Sequence, residues 1–470
     1  SAFSTKPVDG VSRTDSRGRF SIRGVAPGKY RIYALKDGNQ NYLYDSKTEM
    51  VAFYDSIIIP DMMPATRQDT LWKDTLTIDT IMTVNYTRFL PDTLVLRAFK
   101  AENDRQYLTN SQRDKENHFI LTFSAKNDTL PTIKGLNFDE KDAFVIETTS
   151  RNDSICYWIK DSLIYLMDTL AIQLDYLYTD TLNQLVPTTD TLYLANKLTR
   201  AQKEKLQKEE EEKKEKERKK REKKGLEPEK EAMKFLSMKV DAAGTFDIFN
   251  NIVLSFDEPL ASIDTSAIHM EVKVDTLWQS TPFVFEADSV LSRTYQILAQ
   301  WEPEKEYQLT IDSAAIVGLY GLHTNKVQQT LKVKKLDEYG TLLLNLVGAP
   351  ENSVVELLDN NGKVIRKQAV TKENTADFYF LNPGTKYYIR LLADRNGNGI
   401  WDTGNYEKGI QPEKVYYFPK VWEMKANFEF EETWNIHEVP VDRQKLDEIK
   451  KQKPEQEKKI KDRNKEQLKK

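Results

Sequence analysis

The chain has 470 residues, 39% of them hydrophobic, one cysteine and a formal net charge of −4. This length suits several modest cores rather than one large one. A single cysteine excludes an internal disulfide, and no stretch approaches the ~18 apolar residues of a membrane-spanning helix. The charge is uneven: residues 203–224 balance to +4 and 441–470 to +5, which leaves −13 on the rest. An acidic body with two basic segments argues against nucleic acid as the partner of the folded domains.

The composition favours strands, with 22 Tyr, 20 Phe and recurrent Thr. Ser1 stands just before what reads as the middle of a domain, and no signal peptide precedes it. The chain is therefore expected to be a fragment or processed product that lacks an N-terminal part. In "GRFSIRGVAPGKYRIYALKD", Phe20 and Ile22 alternate with polar residues, Pro27-Gly28 turns the chain, and Tyr30, Ile32 and Ala34 alternate again. The spacing predicts a hairpin. "DTL" recurs at 69, 74, 92, 128, 168, 180, 190 and 275 and is read as a strand start. Between 85 and 195, strands such as "HFILTFSA" and "AIQLDYLY" follow at the interval of a β-sandwich. Cys156 is expected to be a small buried hydrophobe. His118, His269, His323 and His437 share no metal-ligand spacing.

Residues 200–224 have no apolar face after Leu206 but carry i,i+4 pairs such as Glu209–Lys213 and Glu212–Lys216. They are expected to form a solvated helix or a disordered linker, in either case outside any packed core. A further β-domain follows. Then "TADFYFLNPGTKYYIRLLAD" repeats the design of the first hairpin, with Phe378 and Phe380, a turn at Pro383-Gly384, and Tyr387, Ile389 and Leu391. The tail from 441 is charged and helix-prone. The fold class is thus mainly β: tandem β-sandwiches with a charged insert and tail. The expected domains are 1–66, 67–196, 233–336 and 337–440, with the insert at 197–232 and the tail at 441–470.

Both hairpins lead into the same polar loop. Asp37, Asn39, Asn41 and Asp45 stand at offsets 0, 2, 4 and 8, as do Asp394, Asn396, Asn398 and Asp402, which indicates an internal duplication. In "DRNGNGIWDTG" the side chains of Asp394, Asn396, Asn398 and Asp402 and the carbonyl of Ile400 form a calcium-ligand pattern with Gly399 at position 6. Asn405 replaces the usual Glu at position 12, with Glu407 as a substitute. A structural, low-affinity Ca2+ site is expected, and the competing reading is a loop that orders its own backbone. The first copy, with Tyr42 at the glycine position, is the poorer candidate.

Two resemblances stand on these residues. "GRFSIRGVAPGKYRIYALKD" resembles the carboxypeptidase-regulatory-like, transthyretin-like β-sandwich. "NIVLSFDEPLASIDTSAIHME", with "YQLTIDSAAIVGLYGLHTN", resembles the bacterial Ig-like domain first described in surface-layer proteins. The domain order and the Lys/Glu-rich insert resemble Ig-like-domain lipoproteins of Bacteroidota outer membranes. The resemblance implies an outer-membrane, cell-surface protein held by a lipid anchor outside this sequence. Such a protein works without catalysis by contact with envelope proteins, as in barrel assembly or nutrient uptake. The alternative is a carbohydrate-binding protein of a glycan-uptake system, which predicts a shallow cleft with a row of exposed, coplanar Trp or Tyr side chains and is removed if Trp401, Trp422 and Trp434 are all buried. An enzyme is not expected: no zinc-peptidase pattern and no Gly-x-Ser-x-Gly turn is present.

Overall fold

The computed structural model describes residues 2–6, 8–15, 18–73, 78–197, 233–242 and 244–450, with scattered positions between 202 and 216. It is mainly β and mostly antiparallel. It divides into two compact units, residues 103–336 and residues 1–102 with 337–470. Most of the expectation for 200–224, and the tail from 451, lies outside the described residues. The positions that are described between 202 and 216 are helical and exposed, with Lys216 4.0 Å from Glu212.

The 103–336 unit begins with a two-sheet sandwich. One sheet runs in the order Leu108–Lys115, His118–Phe123, Ser154–Ile159 and Phe144–Thr148. The other is Leu185–Ala195, Thr169–Thr179 and Thr132–Gly135. His118–Phe123 shows why these residues make a strand. Its alternate side chains Phe119, Leu121 and Phe123 are buried, so a period of two delivers one face to the core. Ile155, Tyr157 and Ile159 meet Leu170, Ile172 and Leu174 from the opposite sheet. Where the pairing of Leu108–Lys115 slips between Gln112 and Lys115, Arg113 turns inward. Its guanidinium donates to the carbonyls of Met167 (2.9 Å), Leu194 (3.3 Å), Glu116 (3.0 Å) and Tyr165 (2.8 Å).

The second sandwich of this unit pairs Met238–Asp241, Ile252–Phe256, Thr294–Ala299 and Phe283–Ala287 in one sheet. The five-stranded sheet facing it is Thr245–Phe246, Val327–Val333, Glu306–Ile311, Ile268–Val274 and Leu277–Ser280. The "FDEP" and "GLYG" segments form a clasp. Leu319 N donates to Pro259 O (2.8 Å) and Tyr320 N to Glu258 Oε1 (3.2 Å). A Cβ on Gly318 would stand 2.0 Å from Glu258 Oε1 and 2.7 Å from Leu236 Cδ1, so a side chain there would push aside the carboxylate that accepts from Tyr320 N. The same clasp reaches the first sandwich. Tyr320 donates its hydroxyl to Asn117 O (2.9 Å) and sets its ring edge-on to Tyr165. Arg293 lies over Trp158 and 3.2 Å from Glu147.

In the other unit, Thr375–Leu381, Gly340–Val347 and Phe428–Asn435 form one sheet. Val364–Ala369, Ser353–Leu358, Lys386–Ala393 and Val415–Tyr417 form the second, with Trp422–Glu423 also on Lys386–Ala393. The predicted hairpin at 378–391 is corrected here. Its two segments are strands, but Thr375–Leu381 pairs with Gly340–Val347 while Lys386–Ala393 pairs with Ser353–Leu358, so the Pro383-Gly384 turn crosses between sheets. Both faces of that turn feed one core, which holds Phe378, Ile389, Leu391, Trp422 and Trp434.

The first copy departs further. The stretch around Phe20 is not a strand, and Ile22 is exposed. Phe378's strand is held by Gly340–Val347, and no described strand offers that pairing to 18–24. The expected first sandwich is therefore a three-stranded sheet, Tyr33–Lys36, Met50–Phe53 and Phe99–Lys100. It closes on an aromatic cluster of Phe3, Tyr33, Tyr44, Phe53 and Phe99 around Tyr406. The boundary expected at 66–67 falls inside a long hairpin, Asp61–Trp72 with Ile78–Leu90. Residues 441–450, expected to belong to a charged tail, are packed instead: Gln444 and Ile449 are buried and Gln444 Nε2 donates to Ile436 O (2.8 Å). Of the "DTL" sites, Thr169 and Leu277 do begin strands. Asp69 and Asp190 lie within strands, Asp190 on the same face as Leu192 and Leu194.

Candidate functional site

The two polar loops sit at the ends of equivalent strands, Lys386–Ala393 and Tyr33–Lys36. In the second loop Asp394 is only 2% exposed. Its carboxylate accepts from Gly397 N (2.8 Å), Asn398 N (3.2 Å) and Gly399 N (2.6 Å). Asn396 Oδ1 accepts from Asn398 N (3.1 Å) and Asn398 Oδ1 from Ile400 N (2.7 Å). The amides of Asn396 and Asn398 donate to Asp402 Oδ2 (2.5 and 3.2 Å). The sequence pattern thus brings Asp394, Asn396, Asn398 and Asp402 together, with the Ile400 side chain outside and exposed.

The first loop copies this almost bond for bond. Asp37 accepts from Gln40 N (2.6 Å) and Tyr42 N (2.9 Å), Asn39 Oδ1 from Asn41 N (3.1 Å), and Asn41 Oδ1 from Leu43 N (2.8 Å). Asn39 and Asn41 donate to Asp45, the latter at 2.5 Å. Desolvation works against it, but the main-chain donors of Tyr42, Gln40, Asn41 and Asn39 hold the Asp37 carboxyl below the ordinary aspartate value. Gln40 and Tyr42 take φ of 63° and 60°, matching 71° at both Gly397 and Gly399. The expectation that Tyr42 would resist this conformation is therefore corrected. The ladder of main-chain donors onto Asp37 holds it there against a strain of roughly 1 kcal/mol.

Neither Asn405 nor Glu407 completes the second loop. Asn405 is engaged in its own turn, accepting from Lys408 N, and Glu407 is an exposed residue 4.0 Å from Lys47. The acid that closes the loop is Glu413. It is buried, and its Oε1 accepts from Arg395 N (2.7 Å) and its Oε2 from Asp402 N (3.0 Å). Strand register identifies its counterpart. Leu392 pairs with Val415 and Leu35 with Val51, so the residues two before each partner, Glu413 and Glu49, are equivalent. Accordingly Gly38 N donates to Glu49 Oε1 (2.9 Å), as Arg395 N does to Glu413. Sequence spacing missed both acids because they stand 12 and 19 residues after the leading Asp. A search for a Glu two residues before the Val that opens the next pairing, Val51 or Val415, would have found them.

The surroundings of the two loops differ. The second is buttressed by Lys367, whose Nζ donates to Gly399 O (2.6 Å) and lies 3.1 Å from the buried Glu356, which also accepts from Arg390 Nε (2.6 Å). In the first, Glu49 Oε2 is buried and has no hydrogen-bond partner. Among the described residues, no three His, Cys, Asp or Glu side chains are placed to hold a metal by themselves. A cation in either loop therefore needs amide and main-chain oxygens as well, the donor set that calcium accepts.

Of the three tryptophans, Trp422 and Trp434 are buried in the sandwich core. Only Trp401, 41% exposed, meets solvent, and its indole donates to Glu413 O (3.0 Å). These three tryptophans therefore do not line up as an exposed row. The histidines stand apart, His118 against Trp158 and His269 3.3 Å from Asp312. Cys156 is half-buried, and desolvation, helped by Glu147, pushes its thiol up to about 12. Among the described residues no helix is long and apolar enough to cross a membrane.

No family model and no curated protein matches the chain. Among solved structures it is similar to the Bacillus anthracis TIE protein, at 11% identity over 71% of this chain and 58% of that one, with a TM-score of 0.14. The N-terminal part of the bacterial S-layer protein SbsC shares 15% identity over 35% of this chain and 42% of that one, with a TM-score of 0.20. The BSP domain of a biofilm associated protein shares 10% over 63% and 66%, with a TM-score of 0.16. The chain spans less than two thirds of each, and TM-scores this low carry no argument about function.

Proposed function

We propose that this chain is a non-enzymatic protein of the bacterial cell surface that works by contact, as a subunit of an outer-membrane complex such as barrel assembly or nutrient uptake. The domain order proposed is a partial transthyretin-like module, a β-sandwich, an Ig-like domain and a second transthyretin-like sandwich. Calcium at Asp394, Asn396, Asn398, Ile400 and Asp402 has a structural part in this reading. The observation that carries the reading is the hairpin Asp61–Trp72 with Ile78–Leu90. Its outer edges bond no other described strand, and Met62, Met63, Leu71, Met82, Tyr86 and Phe89 are exposed along it. A two-stranded hairpin is marginal in water by itself, and unpaired edges with apolar side chains are a template for another protein's strand or surface. The motif resemblances supply the envelope setting.

The hairpin can be removed cleanly, because Asp61 and Leu90 face each other across the ladder and a short Asn-Gly turn can join them. The full chain, carried on a lipid anchor in a Bacteroidota host, should bring specific envelope proteins with it from solubilised outer membranes. The hairpin-deleted chain, with unchanged β content, should lose them. Retention of every partner would refute the hairpin's role. Absence of any envelope partner for the intact chain would refute the function.

A further inference from the structure

We infer that the first loop is a second divalent-cation site, formed by Asp37, Asn39, Asn41, Asp45 and the Leu43 carbonyl and closed by Glu49, which stands just before the adjoining strand Met50–Phe53, with calcium as the cation. The duplicated spacing suggests such a site but does not carry it. A loop of this kind can be satisfied by its own amides, as the many main-chain bonds to Asp37 show. What carries it is a residue outside the loop. Glu49 is 7% exposed, its Oε1 is fixed on Gly38 N inside the loop, and its Oε2 is buried without a partner.

A buried carboxylate oxygen with no donor is costly, and the second copy shows how the same position is satisfied by protein alone. There the equivalent Glu413 takes a second donor, Asp402 N. In the first loop Asp45 gives no such bond, and Glu49 is left with one buried oxygen to spare. The carboxylates of Asp37, Asp45 and Glu49 are not gathered as a three-acid group in this structure, but once Asp45 turns onto the ion they supply, with two amide oxygens and a carbonyl, hard donors in the number calcium takes. Magnesium demands a tighter octahedron and keeps its waters. Binding draws Asp45 onto the ion in place of the Asn39 and Asn41 amide donors it now accepts. The loop leads into Tyr44, which packs on Tyr406 in the aromatic cluster, so an ion here also fixes that cluster. The inference stands independently of the contact function proposed above.

The test is calcium titration of the chelator-stripped full-length chain by calorimetry, for the native protein and for Glu49→Gln, Asp45→Asn and Glu413→Gln. Glu49→Gln keeps the size of the side chain and the acceptor for Gly38 N while removing the charge. Asp45→Asn is an exposed loop change that leaves folding intact if Glu49→Gln does not. The native chain should bind in the extracellular class, with Kd of roughly 0.1–1 mM. Glu49→Gln and Asp45→Asn should each weaken one site by at least about tenfold, and Glu413→Gln should leave that site unchanged. Binding unaffected by both first-loop variants, or lost only with Glu413→Gln, would overturn the inference while sparing the second-loop reading. No binding up to millimolar calcium by the folded native chain would overturn both.

Discussion

Arg113 offers the sharpest test of what holds the 103–196 sandwich together. It is 4% exposed, and its guanidinium donates to four carbonyls drawn from three stretches of chain. Arg113→Met keeps the apolar stem and removes every donor. Hydrogen bonds to a charged group are each worth about 1.5–3 kcal/mol, a gross loss of roughly 6–12 kcal/mol for four. Removing the buried guanidinium returns a desolvation penalty of several kcal/mol, so the net destabilisation should be about 2–4 kcal/mol. The chain is multidomain and does not unfold in one step, so the assay is native-state hydrogen exchange by mass spectrometry on the full chain. Protection of peptides covering His118–Phe123 and Ser154–Ile159 should fall by about 30- to 1000-fold, at ~1.4 kcal/mol per decade. Peptides over Gly340–Val347, in the other unit, are the internal control. Protection unchanged within about threefold, or increased, would show that the burial cost cancels the bonds and that the clamp stabilises nothing.

Two further outcomes follow from single residues. Tyr42 is 52% exposed and sits at φ 60°, so Tyr42→Gly should raise the thermal stability of its unit by roughly 0.5–1 kcal/mol, whereas Tyr42→Ala should not. A gain from alanine would place the effect in side-chain contacts instead of backbone strain. The Cys156 thiol is pushed up to about 12 by desolvation. At pH 9 only about a thousandth of it is thiolate, and alkylation by iodoacetamide should be slow in the folded chain, rise tenfold per pH unit, and become fast on unfolding. Because the unfolded thiol ionises first, this group favours the folded state below about pH 9 and loses that contribution as pH rises through 12. Alkylation at the rate of a free thiol would refute the burial.

Much of the fold was legible because a strand with one buried face must alternate. "HFILTF" and "EYQLTI" carry that alternation openly, and both are strands. Pairing was not legible. The stretch from Phe378 to Leu391 has the residues of a hairpin, yet its two strands lie in opposite sheets. Alternation says which side chains point inward and nothing about which neighbour receives the main-chain bonds. The same limit explains Phe20, whose segment has the pattern of a strand and no described neighbour to bond. The "DTL" signal failed in a different way. Aspartate can sit within a long strand as well as in a turn before one: Asp190 shares the inward face of its strand with Leu192 and Leu194 and accepts from Tyr176 Oη (2.8 Å) across the ladder.

The candidate site divides along the same line. Its leading residues were visible because an Asx ladder needs oxygen-bearing side chains at every second position, and that spacing survives in sequence. Its closing acids were invisible because they lie outside the loop, one and two residues before the strands Met50–Phe53 and Val415–Tyr417. Once the chain leaves Asp45 or Asp402 it is free to wander before the strand begins, and the second copy inserts a turn at Asn405–Ile410 that the first lacks. Position along the chain is lost while position in the ladder is kept: Val51 opposite Leu35, Val415 opposite Leu392. The glycine at position 6 misled in the opposite sense. It marked the copy whose backbone adopts the turn without strain, and that copy is the one whose closing glutamate is already satisfied by protein donors. The copy that holds Gln40 and Tyr42 in left-handed conformations has the glutamate with an oxygen to spare. The strain at Gln40 and Tyr42 is held by the main-chain donors onto Asp37, so it is the unspent buried carboxylate of Glu49, and not the strain, that points to a cation.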